Sequence, residues 1–157
     1  MSHYHLAQVN IAKALAPLDQ PLMQGFVEQL DRVNALADAH PGFVWRLQTE
    51  DGDATSVQAF DDPLLLVNLS VWQGFEALKD YVYSGEHLQM LRGKKQWFEK
   101  SAKSPLALWW VPAGHLPDVL EARQKIEQLW RDGPSAAVFS FAQPFPAPDA
   151  VAANATE

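Results

Sequence analysis

Asn68 and Trp72 are the residues of this sequence whose types and spacing most invite chemistry. They lie four residues apart in the apolar run 64–72, so in an extended strand they share one face. An amide in an apolar run is costly unless it is satisfied. Facing an aromatic-walled space, Asn68 could hydrogen-bond a ligand's carbonyl or hydroxyl. Alternatively, it bonds only to backbone at a strand end or bulge.

Among the histidines, His87 is the best candidate for a catalytic or ligand-binding role. It follows a helix break at residues 84–85 and lies near Tyr83. The competing interpretation is a hydrogen bond within the helix junction. His3 and His5 share a strand face, but a chain end often frays and no carboxylate is close in sequence. We therefore predict no metal site.

Six tryptophans stand in this chain, and each buried indole N–H needs an acceptor. We expect most of them in the core, with the adjacent Trp109 and Trp110 facing opposite sides of a strand. For contact with substrate we expect four aromatic or amide side chains: Asn10, Trp45, Tyr83 and Trp97.

Composition excludes several classes of protein. The chain has 157 residues, 48% of them hydrophobic and 20% charged, which is typical of one globular domain. With no cysteine it has no disulfide scaffold or thiolate site. Its net charge of −7 disfavours nucleic acid, and its apolar runs are too short to span a membrane. No P-loop, G-x-G-x-x-G, G-x-S-x-G or H-E-x-x-H motif is present. No secretory signal opens the chain, so we expect a cytoplasmic protein.

Hydrophobic periodicity predicts an alternation of strands and helices. In the first strand, Leu6, Gln8 and Asn10 share one face, and the alternate residues share the other. Pro21 is suited to begin a helix that ends at residues 40–42. Further strands are predicted at 43–49, 64–72, 106–111 and 138–141, and further helices at 75–83, 86–103 and 117–130. Residues 57–60 are either a short strand or part of a loop.

This order, βα-ββ-αα-β with an appended αβ unit, favours an α+β fold. The best match is a ferredoxin-like split βαβ subunit with an antiparallel sheet. We expect residues 1–146 to form a single domain and residues 147–157 to form a mobile tail.

A split βαβ subunit covers one sheet face with helices, yet both faces of the strand 64–72 are apolar. We therefore expect a homodimer that pairs the bare faces. The alternative is that the last helix folds back over the bare face and makes a monomer.

The order of several short motifs resembles the antibiotic-biosynthesis-monooxygenase-like superfamily of dimeric α/β barrels, and within it a bacterial branch classed as a domain of unknown function. The resemblance covers about residues 5–146. The motifs are His40-Pro41-Gly42-Phe43, Asn68-Leu69-Ser70-Val71-Trp72, Phe75-Glu76-Ala77-Leu78, Ser84-Gly85-Glu86-His87, Trp97-Phe98-Glu99 and Leu108-Trp109-Trp110-Val111-Pro112-Ala113-Gly114-His115.

This resemblance implies a homodimeric barrel with a pocket between the sheet and helices of each subunit. Some relatives oxidise aromatic substrates with O2 and neither metal nor flavin, and Asn68 and Trp72 stand at positions similar to an Asn/Trp pair that holds the substrate there. Other relatives bind haem through a histidine. His87 lies one turn before the position expected for that ligand, which Leu91 occupies.

Three functions follow as hypotheses. The first is a small-molecule pocket protein that acts as a cofactor-independent monooxygenase on an electron-rich aromatic compound, with Asn68, Trp72 and His87 as catalytic residues. The second is a haem-binding protein with His87 as axial ligand. The third is a non-catalytic module for ligand sensing or assembly.

Overall fold

Four strands form one antiparallel sheet in the computed structural model, which describes residues 3–47, 64–83, 94–99 and 103–148. The strand order is β2-β3-β1-β4, the split βαβ order predicted from the sequence. The strands are β1 (Tyr4–Lys13), β2 (Phe43–Arg46), β3 (Leu65–Trp72) and β4 (Leu106–Pro112). The helices are α1 (Gln24–Ala39), α2 (Phe75–Val82), α3 (Lys94–Trp97) and α4 (Val119–Asp132).

One face of the sheet is covered by α1 and α2. Pro21 begins a short 3-10 turn that leads into α1, and α1 ends at its C-cap His40. Trp72 of β3 is the largest fully buried side chain on this face. The buried residues around it form the Trp72 cluster: Leu6, Ala37, Trp72, Leu78, Tyr81, Leu108 and Phe139.

The opposite face is covered by α4. This is the alternative named above, in which the last helix folds back over the second sheet face. Ile126 and Leu129 of α4 pack on Val9 and Trp109 of the sheet, and Ile126 is fully buried within one chain. The expectation that helices leave this face bare is therefore wrong. The homodimer stays a prediction, but the bare sheet face that was the argument for it is covered by α4.

A hydrogen-bonded clasp ties the start of α4 to β4. Asp118 caps α4 by accepting a hydrogen bond from the Glu121 N–H at 2.8 Å. The Glu121 carboxylate accepts from the Trp109 indole N–H at 2.8 Å, and its other oxygen lies 2.7 Å from Nε2 of His115. Because Trp109 is buried, its indole N–H would have no hydrogen-bond acceptor without this carboxylate.

The helix that contains Trp97 ends before its predicted bound. The helix expected at 86–103 ends at Trp97, because the backbone then turns to pair with the end of β1: Phe98 bridges Ala14, and the Glu99 N–H donates to the Lys13 carbonyl. Residues 57–60 and 84–93 lie outside the described residues.

The strand expected at 138–141 is reduced to single bridges. Both backbone groups of Leu108 pair with Phe139, at 2.8 Å each way. The chain then passes onto the α1/α2 face, where the Trp110 indole donates to the Phe145 carbonyl and Ala147 is buried. The C-terminal segment is thus held down as far as Ala147.

Candidate functional site

A strip of polar side chains crosses the sheet beneath α1 and α2. Gln8 and Asn10 of β1 stand opposite Ser70 and Asn68 of β3 in the strand register. The strip separates the Trp72 cluster from a second apolar group, the Trp97 cluster, which consists of Ala14, Met23, Phe26 and Trp97. Since Gln8 and Ser70 are buried and Asn68 is exposed, the strip leads from the core to an accessible amide.

Gln8 joins the members of this strip. Its side-chain nitrogen Nε2 donates to Asn68 Oδ1 at 2.6 Å and to Ser70 Oγ at 2.8 Å. The Asn68 oxygen is thereby occupied, and its Nδ2 group keeps two N–H donors. Within the described residues, no hydrogen bond engages that group. The accessible end of the strip therefore presents donors and suits a carbonyl, hydroxyl or oxyanion acceptor.

Trp72 is connected to the strip but lies in the core. Its side chain is 1% exposed, and its indole N–H donates to Ser70 Oγ at 2.8 Å. Its ring stacks on Tyr81 with centroids 4.9 Å apart, and His40 and Phe43 meet it edge-on. The structure thus brings Trp72 and Asn68 into one hydrogen-bonded chain through Ser70 and Gln8.

Tyr81 closes the Trp72 cluster from α2. Its hydroxyl donates to the Val33 carbonyl at 3.0 Å. Burial, together with the nearby negative charge of Asp38, raises the pKa of Tyr81 well above its ordinary value, and Arg46 opposes this only in part. Tyr81 is therefore a neutral phenol at physiological pH.

His40 fixes the start of β2 beside Trp72. Its Nδ1 accepts a hydrogen bond from the Gly42 N–H at 3.0 Å, so its Nε2 carries the proton that faces Asp80 at 2.8 Å. His40 is the C-cap of α1, in agreement with the helix end predicted at residues 40–42.

The other predicted substrate contacts lie in different parts of the structure. Asn10 lies opposite Asn68 in the strand register. Trp97 lies in the apolar cluster at the end of the strip and is 6% exposed. Tyr83 is 57% exposed next to Lys79 and Asp80, in an open depression of about 420 Å³ away from the strip.

Trp45 is on the wrong side of the sheet for contact with Asn68. Phe43 packs in the Trp72 cluster, whereas Trp45 packs against the residues beneath α4. A register shift between these two residues breaks the strict alternation of the strand, and such a bulge turns the following side chain to the other face. His87 lies outside the described residues.

Sequence reasoning missed Gln8 and Ser70 as members of the site. Their signal was present, because each is a polar residue two positions from an asparagine, with apolar residues between and beside them. At this spacing a strand places both polar side chains on one face.

Neither a metal centre nor a membrane segment is found in the described ranges. No group of three or more His, Asp or Glu side chains there could hold a metal ion. No helix among these residues is long and apolar enough to cross a membrane. A second surface depression, of about 340 Å³, lies beside Lys103 and Trp130.

The family is given by a sequence comparison. Residues 5–155 match the family model described as "Domain of unknown function (DUF3291)". The chain belongs to this family. The resemblance to a branch classed as a domain of unknown function is thereby confirmed. None of the curated proteins matches the chain.

Several solved structures are similar to this DUF3291 protein. One is SnoaB, a cofactor-independent oxygenase from Streptomyces nogalater, at 18% identity and a TM-score of 0.47, covering 73% of this chain and 98% of that one. Another is PA3566 from Pseudomonas aeruginosa, at 16% identity and 0.48, covering 73% and 98%. A conserved protein from Methanosarcina mazei has 12% identity and 0.49, covering 68% and 92%. Similarity at this level is not evidence for a shared substrate.

Proposed function

We propose that this DUF3291 protein binds a small electron-rich aromatic compound, a phenol or quinol, at Asn68 and oxidises it as a monooxygenase-like enzyme without a cofactor. The observation that carries the proposal is the exposed Asn68 amide whose oxygen is held by Gln8 at 2.6 Å. This hydrogen bond leaves N–H donors at the accessible end of a buried polar strip.

Donors of this kind favour an anionic oxygen. A phenol that loses its proton beside Asn68 gains a hydrogen bond to a charged acceptor, which is worth about 1.5–3 kcal/mol. A phenolate is a much better electron donor than the neutral phenol, so the same interaction that binds the ligand also prepares it for reaction with O2. Asn10, opposite Asn68 in the register, is placed to contact the same ligand.

The surroundings of the strip suit a flat ligand. The Trp72 cluster lies on one side and the Trp97 cluster on the other. Apolar walls around a few oriented polar groups are the usual composition of a small-molecule site.

The proposed reaction balances without any further reductant. The phenol carbon para to the oxygen loses its hydrogen and gains one oxygen atom of O2, while the phenolic hydrogen is also lost. The second oxygen atom leaves as water with these two hydrogens. The products are a quinone and one water molecule, and the substrate supplies all the electrons.

Oxygen uptake with a panel of phenols and quinols tests this proposal. We expect consumption by the wild type and a loss of about 10- to 100-fold in kcat/KM for Asn68→Ala, the ratio that corresponds to a charged hydrogen bond. Gln73→Ala is the matched control, because Gln73 is an exposed amide one residue beyond β3. No uptake with any member of the panel, or equal rates for the two variants, would contradict the proposal.

A further inference from the structure

We propose that Gln8 is a positioning residue, which fixes the Asn68 amide with its oxygen inward and its N–H donors toward the ligand. The inference rests on the proposed function only for the identity of the ligand. The orientation of the amide is a property of the free protein.

The two hydrogens of Gln8 Nε2 are both committed. One is donated to Asn68 Oδ1 at 2.6 Å and the other to Ser70 Oγ at 2.8 Å. Ser70 Oγ in turn accepts from the Trp72 indole at 2.8 Å. An indole N–H can only donate, so Ser70 Oγ is the acceptor toward Trp72, and it also accepts from Gln8.

Reversal of the Gln8 amide is unfavourable. With Asn68 unrotated, it would place the Gln8 carbonyl oxygen against the oxygen of Asn68 and leave that contact without a proton. Gln8 is 5% exposed, so water cannot readily replace the lost hydrogen bonds. The orientation of the Gln8 amide is thus coupled to that of the Asn68 amide through their hydrogen bond.

This arrangement makes Gln8 specific for acceptor ligands. An Asn side chain alone offers either its oxygen or its nitrogen, because rotation by half a turn exchanges them. With its oxygen turned inward to Gln8, Asn68 presents its N–H donors outward. The site then selects an anionic or carbonyl oxygen over a ligand N–H, without Gln8 touching the ligand.

Hydrogen exchange of side-chain amides, followed by NMR on the free wild-type protein, tests the orientation directly. We expect slow exchange for the Gln8 amide protons and for the Trp72 indole proton, and fast exchange for the Asn68 amide protons. The reverse pattern, with Asn68 protected and Gln8 exposed to exchange, would overturn the inference whether or not any phenol binds.

Binding of 4-nitrophenolate, followed by its absorbance at a pH where the free probe is ionised, tests the consequence. Gln8→Glu keeps the shape but can only accept, so it should turn the Asn68 N–H donors inward and weaken binding by about tenfold or more. Gln8→Met removes the orienting hydrogen bonds without adding charge and should weaken binding several-fold. Gln124→Glu, an exposed position on α4, adds the same charge on the opposite face and should bind as the wild type does.

The outcomes separate the two proposals. If the wild type shows the expected exchange pattern but does not bind 4-nitrophenolate, the phenol site is refuted and the orienting role of Gln8 is supported. If the wild type binds and a folded Gln8→Met binds equally well, the positioning role is refuted and the site remains. Circular dichroism on each variant verifies that it is folded.

Discussion

Replacement of Gly42 by alanine should loosen the contact between β2 and α2. A Cβ atom built on Gly42 would lie 2.3 Å from the Cβ of Ala77 in α2. Carbon atoms in contact prefer about 3.5–4.0 Å, so the two elements must separate by more than about 1 Å. Helix α2 carries Leu78 and Tyr81 into the Trp72 cluster, and a shift of the helix therefore disturbs that cluster.

The expected cost of Gly42→Ala is about 1–3 kcal/mol, as for other overpacked sites. For a chain of this size that corresponds to a decrease in Tm of about 2–12 °C. Urea denaturation followed by tryptophan fluorescence measures the free energy of unfolding. The double variant Gly42→Ala/Ala77→Gly removes the clash, although glycine in a helix itself costs about 1 kcal/mol. An unchanged stability of Gly42→Ala, or a double variant whose loss is the simple sum of the two single losses, would refute the close approach.

Two further predictions concern the cores on the two sides of the sheet. Because the pKa of Tyr81 is raised in the folded state, the unfolded chain releases this proton first, so the free energy of unfolding should fall as the pH rises above about 10. Tyr81→Phe should show a smaller fall and should lose the last tyrosine step in an ultraviolet titration; an identical pH profile would contradict this. Ile126→Ala should cost about 2–5 kcal/mol, whereas Leu120→Ala, at a position 60% exposed on the same helix, should change stability by less than about 0.5 kcal/mol. Similar losses for both, measured by urea denaturation, would mean that α4 does not cover the sheet.

Much of the sheet could be predicted because alternation in a strand is a local property. Gln8 and Asn10 share a face in any regular strand, as do Asn68 and Trp72. The antiparallel register then brings Asn10 opposite Asn68. The pairing of the two asparagines therefore needed only the correct fold class.

Two features could not be read in this way. The bulge between Phe43 and Trp45 moves Trp45 to the other face, and bulges leave no mark in an apolar pattern. The position of α4 depends on which apolar surface its buried stripe prefers. Both faces of β3 are apolar, so the pattern alone allowed either a second subunit or the chain's own last helix to cover the second face.

The bridge between Leu108 and Phe139 has a consequence for solubility. Since β4 is an outer strand of the sheet, its free backbone groups would invite pairing with the strand of another molecule. Phe139 occupies both groups of Leu108, and the Trp110 indole anchors the following segment through Phe145. The C-terminal segment thus protects this edge from pairing with another molecule. A chain shortened before Val138 would leave both backbone groups of Leu108 in β4 unpaired.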